Sequence, residues 1–237
     1  MKTIGLIGGL SWVSTERYYR IINQGVYERS QGKHFSAKII MYSLDCNEIL
    51  ENTGFAWQDN WDKAERIILD AAKILENTNS VDIILICSNT AHSIAGAITK
   101  HCQTKLLHIA DATATEIKRQ KLKKIALLGT KPTMEKDFYI SKLVNEYGLE
   151  VIVPELQDRN FIHHIIETEL VQSQSQINPV SKQKYINIIN DLIQKGAEGV
   201  ILGCTEIGLL IQQQDVSIPV FDTTELHAQA AVDFALS

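Results

Sequence analysis

The sequence predicts an α/β protein built as two similar lobes, each a parallel sheet with flanking helices. Three observations point there. Short β-branched runs alternate with helical patterns along the whole chain; the runs are apolar almost throughout; and segments of the first half recur in order in the second.

The expected strands are 3–7, 38–43, 83–87, 106–109, 125–129, 150–153, 200–203 and 216–221. Their nearly continuous apolar character suits strands covered on both faces, as helices on each side of a parallel sheet require. Between them, Trp61, Ala64, Ile68, Ala71 and Leu75 fall three or four residues apart and stripe one face of a helix. Tyr185, Ile188, Ile189, Leu192 and Ile193 do the same ahead of Gly196, a natural terminator. Tyr18, Ile22 and Val26 repeat every fourth residue after Ser14 and Thr15, either of which is placed to cap.

The recurrence is specific in its alignment. Residues 2–8 (KTIGLIG) resemble 123–129 (KKIALLG), and 81–88 (VDIILICS) overlay 197–204 (AEGVILGC) without a gap. Residues 109–113 (IADAT) match 220–224 (VFDTT). Any two strand–Gly–helix units look alike, but three matches in one order point to a duplication. The expected lobes are residues 1–98 with 209–237, and 99–208.

Composition narrows the function. The chain has 237 residues, 45% hydrophobic and 22% charged, with a net charge of -5. That is an ordinary globular balance with no basic patch for nucleic acid. No apolar run approaches the roughly 18 residues of a membrane span, and the short, Gly-rich start does not read as a signal peptide. A cytoplasmic location is expected. Cys46, Cys87, Cys102 and Cys204 form no CxxC pair, so neither a disulfide framework nor a zinc or other metal site is expected. Gly8-Gly9 lacks the spacing of a dinucleotide fingerprint.

In open parallel sheets ligands bind beyond the carboxyl ends of the strands. If two such sheets face one another, the Gly8, Ser88 and Asp111 ends oppose the Gly129, Cys204 and Asp222 ends. A small molecule held there lies between Ser88 and Cys204. Inverting a stereocentre needs a base on one face of Cα and an acid on the other. A thiol near its ordinary pKa of about 8.5 serves, particularly if the helix opening at Thr205-Glu206 favours the thiolate. The competing reading of Cys204 is a small buried hydrophobe, as most free cysteines are. Asn89, Thr90 and Thr205, with backbone N–H groups at helix starts, suit an α-carboxylate, although they would also serve as helix caps.

These motifs resemble the aspartate racemase-like branch of the aspartate/glutamate racemase superfamily. Gly8-Gly9-Leu10-Ser11-Trp12 resembles that branch's Gly-Gly-Met-Ser-Trp opening, and Cys87-Ser88-Asn89-Thr90-Ala91-His92 resembles its first catalytic motif. Gly203-Cys204-Thr205-Glu206 resembles the second, and Asp222-Thr223-Thr224-Glu225-Leu226-His227 the ending. The resemblance implies two flavodoxin-like lobes with the active site in the cleft between them, no cofactor, neither pyridoxal phosphate nor metal, and a homodimer. It implies that Cys204 and the Ser88 position are catalytic and that Gly9, Leu10 and Ser11 join Asn89, Thr90 and Thr205 at the substrate. Glu206, His92 and His227 fall at motif positions and are further candidates, although packed or capping histidines are common.

Two departures matter. The position directly before Asn-Thr, a cysteine in typical members, is Ser88, with Cys87 one residue earlier. Neighbours on a strand point to opposite faces, and the ungapped repeat pairs Ser88 with Cys204, so Ser88 is expected in the site and Cys87 in the core. A hydroxyl is a weaker acid than a thiol, so Cys204 is the expected principal base and Ser88 the donor or relay. Second, the resemblance implies that aspartate-selective members hold the distal carboxylate with basic residues, whereas neither 45–61 nor 161–174 contains Arg or Lys, the latter offering only His163 and His164. A buried carboxylate without a cation is costly, so a neutral polar or broad range of amino acids is expected, with Arg159 the nearest candidate to restore aspartate binding.

Two other readings compete. Arylmalonate decarboxylases resemble this arrangement with only the second cysteine retained, and a catalytically silent amino-acid-binding protein would tolerate Ser88. Residues 48–60 are a candidate lid or an ordinary surface loop, and 172–181 a solvated connection.

Overall fold

The computed structural model describes residues 1–53, 61–171 and 178–237. The chain divides into two compact units, Met1–Ala112 with Thr224–Ser237, and Thr113–Thr223.

The first unit holds a parallel sheet of β1 (Thr3–Gly8), β2 (Lys38–Ser43), β3 (Ile83–Ile86) and β4 (Lys105–Leu106), in the order β2-β1-β3-β4. Helices α1 (Trp12–Arg29), α2 (Cys46–Thr53), α3 (Trp61–Asn77) and α4 (Ala95–His101) lie between the strands. The second holds β5 (Lys124–Gly129), β6 (Glu150–Ile152), β7 (Gly199–Gly203) and β8 (Val220–Asp222), in the order β6-β5-β7-β8. Its helices are α6 (Lys131–Glu135), α7 (Asp137–Asn145), α8 (Leu156–Ile165), α9 (Pro179–Gln194) and α10 (Ile207–Leu210). Two helices carry the chain across: α5 (Ile109–Arg119) and α11 (Thr223–Leu236).

The inner strands β1, β3, β5 and β7 are buried as their composition requires. β2 is different. It is an edge strand, and Lys38, Met41, Tyr42 and Ser43 are exposed, so its apolar run does not mean burial on both faces.

One side of the first sheet packs Ile7, Ile84 and Ile86 against the expected α3 stripe of Ala64, Ile68, Ala71 and Leu75. The other packs Ile4, Leu6, Leu85 and Cys87 against Tyr18, Ile22 and Val26 of α1 and Ala228, Ala231 and Val232 of α11. Each of the Ile, Leu and Val side chains among these, fully buried, contributes about 1.5–3 kcal/mol. α1 and α11 approach closely because Gly25 has no side chain: a Cβ there would sit 3.0 Å from Val232.

The cap of α1 is Ser11, which accepts from Ser14 N at 3.4 Å, and not Ser14 or Thr15. Thr15 instead ties the preceding turn, accepting from Gly9 N at 2.9 Å and donating to Ser11 O at 2.9 Å. α9 starts from Asn178 with Pro179 in its first turn, which makes residues 179–181 helical rather than connecting chain. It ends before Gly196, whose φ of +93° suits glycine. Of the candidate lid, 48–53 is helical; 54–60, like 172–177, lies outside the described residues.

Strand register tests the duplication residue by residue. Ile4 pairs with Ile83 in the first unit and Ile125 with Gly199 in the second, so the first two sequence matches are structural equivalences. The third is displaced by three residues. Leu106 pairs with Ile84, and Val220 pairs with Val200, the equivalent of Ile84. Leu106 is therefore the counterpart of Val220, and His108, not Asp111, that of Asp222. The similarity of 109–113 to 220–224 sets a helix start beside a strand.

The bounds differ from those expected because of the outer strands. β4 bonds to β3 and keeps its residues in the first unit; β8 bonds to β7 and keeps 220–222 in the second.

Candidate active site

In the first unit, the ends of adjacent strands β1 and β3 bring together the Gly8–Ser11 turn and the Ser88–His92 turn. Gly9 has φ of +82°, and a Cβ there would lie 2.0 Å from Leu44 O, so only glycine fits. Its N–H is occupied by Thr15, as noted. Leu10 offers its carbonyl to the Cys46 thiol at 3.3 Å and packs beside the α3 core. Ser11 caps α1.

Cys87 and Ser88 separate as their alternation predicts. Cys87 is in the core between the sheet and helices α1 and α11, and burial pushes its thiol far above the ordinary range. Ser88 is partly exposed, and its Oγ accepts from Ala91 N at 3.4 Å. Asn89 and Thr90 are buried beside it.

Buried His92 braces this turn and buried His227 lies edge-on against its ring, each with its tautomer dictated by its partners. His92 Nδ1 donates to Ser88 O at 2.7 Å, and its Nε2 accepts from Ile109 N at 3.2 Å. His227 Nε2 donates to Leu107 O at 2.8 Å, while its Nδ1 accepts from the Tyr18 hydroxyl at 2.7 Å. Burial first, then neighbouring His92, pushes His227 down to about 3, so it is neutral. His108 lies against His92, ring centroids 4.5 Å apart, and its Nδ1 accepts from Ala110 N at 3.1 Å as it caps α5. His108 is absent from the candidates above; correct strand register, which places it opposite Asp222 in the repeat, is the signal that finds it.

In the second unit, Cys204 follows β7 and is buried. The Gly129–Gly203 pair brings β5 and β7 together just before it: a Cβ on Gly203 would lie 2.8 Å from Leu128 O. The Cys204 thiol donates to Glu206 Oε2 at 3.0 Å, and the Thr205 hydroxyl donates to the same oxygen at 2.7 Å. Glu206 is itself buried.

This geometry corrects the expectation of a thiolate. Burial, and then the charge and hydrogen bond of Glu206, push Cys204 well above the ordinary thiol value. The backbone N–H groups of Glu206 and Thr205 pull the other way and lose. The helix that follows starts only at Ile207 and is four residues long, too short for a substantial dipole. Cys204 rests as a thiol.

Arg159 on α8 pairs with Glu135 at 2.9 Å and donates to Pro154 O at 3.0 Å. His163 is buried, accepts from Lys131 N at 3.2 Å, and is pushed below its ordinary value chiefly by burial. No group of three or more metal-ligating side chains occurs among the described residues. Nor is any helix among them long and apolar enough to cross a membrane.

A chain of two like-ordered parallel sheets, with a proton-carrying side chain just past the central strand of each, belongs to the duplicated α/β class. Residues 7–231 match the Asp/Glu/Hydantoin racemase family, and the chain belongs to it. It resembles a putative Asp/Glu racemase from Yersinia pestis, with 46% identity, TM-score 0.89 and full coverage of both chains. It also resembles an aspartate racemase homologue from Pyrococcus horikoshii OT3, with 35% identity, TM-score 0.83 and full coverage of both. A broad-specificity amino-acid racemase, RacX of Bacillus subtilis (strain 168), is 27% identical over 177 residues, 74% of each chain.

Proposed function

We propose that this protein is a cofactor-independent amino-acid racemase in which Cys204 is the principal base and Ser88 the proton donor or relay on the opposite face of Cα. The observation that carries the reading is the register equivalence of these two residues. Each lies five residues on from an equivalent paired position, Ile83 or Gly199, just past the inner strand β3 or β7 and without a gap. Family membership supplies the context. Asn89, Thr90 and Thr205 are the groups proposed to hold the α-carboxylate, with the turn from Gly9 to Ser11 shaping the pocket around it.

For substrate we favour neutral polar amino acids or a broad range. Arg159, the candidate cation, is already engaged by Glu135 and Pro154 O, which leaves a distal carboxylate poorly compensated. The relatives' names point both ways: RacX is named broad-specificity, while the other two are named an Asp/Glu racemase and an aspartate racemase homologue. The test is proton NMR in deuterated buffer with single L-amino acids, including aspartate, glutamate, homoserine and serine. Loss of the Cα–H signal with matching formation of the D-enantiomer establishes the activity and its substrate. A folded protein that exchanges none of them overturns the proposal in favour of a decarboxylase or a binding protein. Aspartate exchanging far faster than neutral amino acids overturns the substrate assignment alone.

A further inference from the structure

Neither member of the proposed pair rests as a base: Ser88 is a hydroxyl, and Cys204 is a thiol donating its proton to Glu206. The base must therefore be made before Cα can be deprotonated, and among the described residues the acceptor of the Cys204 thiol is Glu206. Sγ lies 3.0 Å from Glu206 Oε2, within the second unit and away from bulk water.

We infer that Glu206 acts through Cys204 as its proton acceptor, so that the working base is a thiolate beside a protonated Glu206 carboxyl. The inference rests on the racemase reading for its catalytic consequence but not for the coupling itself. Its physical basis is conservation of charge. Losing the thiol proton to solvent would place two negative charges 3.0 Å apart in a buried site, an arrangement that low dielectric makes costly. Passing the proton to Oε2 moves a single negative charge between the two side chains and creates none. The Thr205 hydroxyl, 2.7 Å from the same oxygen, fixes the carboxylate's orientation for that transfer.

The steps balance. The Cys204 S–H bond breaks, its electron pair stays on sulfur, and the proton bonds to Oε2. The thiolate then takes the Cα proton, leaving the C–H electron pair on a carbanion delocalised into the substrate carboxylate. Ser88 delivers a proton to the other face. Glu206 releases its proton to solvent while Ser88 regains one, which restores both groups. Among the described residues, Tyr185, on α9, is a further ionisable side chain that interacts electrostatically with Cys204. Its hydroxyl donates to Ile162 O at 3.0 Å and is buried there, leaving Glu206 as the hydrogen-bonded acceptor of the thiol.

The experiment compares wild type with Glu206→Gln, a near-isosteric change that keeps an acceptor for both donors but cannot take a proton. The thiolate ultraviolet band is titrated as a difference against Cys204→Ala, and Cα deuterium exchange is measured in parallel. The expected result has opposite signs: at pH 8 the Cys204 thiolate fraction rises at least about tenfold, as loss of an adjacent charge requires, while exchange falls at least about tenfold. A residue needed only for structure would not make the thiol more acidic and the enzyme slower together. An unchanged titration, or exchange retained at the wild-type rate, overturns the inference. If Glu206→Gln does not fold, Glu206→Asp takes its place, and a thiol titration that stays at the wild-type midpoint with undiminished exchange overturns it equally. If the titration shifts as expected but wild type exchanges no amino acid, the coupling stands and the racemase reading fails.

Discussion

Lowering the pH should destabilise this protein through His227, and the size of the effect follows from its surroundings. The ring is fully buried between Tyr18 and Leu107 O, with both nitrogens hydrogen-bonded in the neutral form. Its pKa falls from 6.5 to about 3 on folding. The unfolded chain therefore binds a proton that the folded protein refuses. Stability from this group is intact above about 6.5, declines as pH falls below it, and stops declining only near 3. At pH 5 the loss is about 2 kcal/mol, from 1.5 units at about 1.36 kcal/mol each. That figure depends on the unfolded value and hardly on the folded one, provided the latter lies well below 5. The assay is urea unfolding at pH 7 and pH 5 for wild type and His227→Gln. Glutamine can still donate to Leu107 O but holds Tyr18 less well, so the variant should be about 1–3 kcal/mol less stable at pH 7. Its stability should fall about 2 kcal/mol less than wild type's between the two pH values. Parallel pH dependences would refute the assignment of a buried neutral imidazole.

Other outcomes follow from the same contacts. Cys204→Ala should abolish Cα exchange by at least about a thousandfold with unchanged circular dichroism. Cys87→Ala should leave exchange near wild type and cost about 1–2 kcal/mol in urea unfolding, because it hollows the core beside α1 and α11; Ser88→Ala should do the reverse, and exchange surviving in it at full rate would remove the donor role. Gly9→Ala should lose at least about 3 kcal/mol or fail to fold, since its backbone is left-handed and its Cβ would collide with Leu44. Arg159→Gln should leave the ratio of aspartate to homoserine turnover unchanged; a selective loss of aspartate turnover would show the guanidinium free to reach substrate.

Much of this molecule is legible in local sequence. Apolar runs of four to six residues and the three- and four-residue spacing of α3 and α9 mark elements whose side chains must be covered, and hydrophobic period alone locates them. The ungapped likeness of 81–88 to 197–204 carries the equivalence of Ser88 and Cys204, because strand register preserves it. Alternation at the end of β3 suffices to send Cys87 to the core and Ser88 outward.

What the sequence could not decide depended on residues far apart in the chain. β2 has an apolar run like those of inner strands but lies at an edge, because sheet order is a property of the whole unit. Similar letters at 109–113 and 220–224 hid a three-residue shift that only strand pairing exposes. Arg159 looked available until α8 placed it beside Glu135. Cys204 looked activated by a helix start. The fold instead buried it against Glu206, and protonation follows the local field and solvation in three dimensions, which order along the chain does not determine.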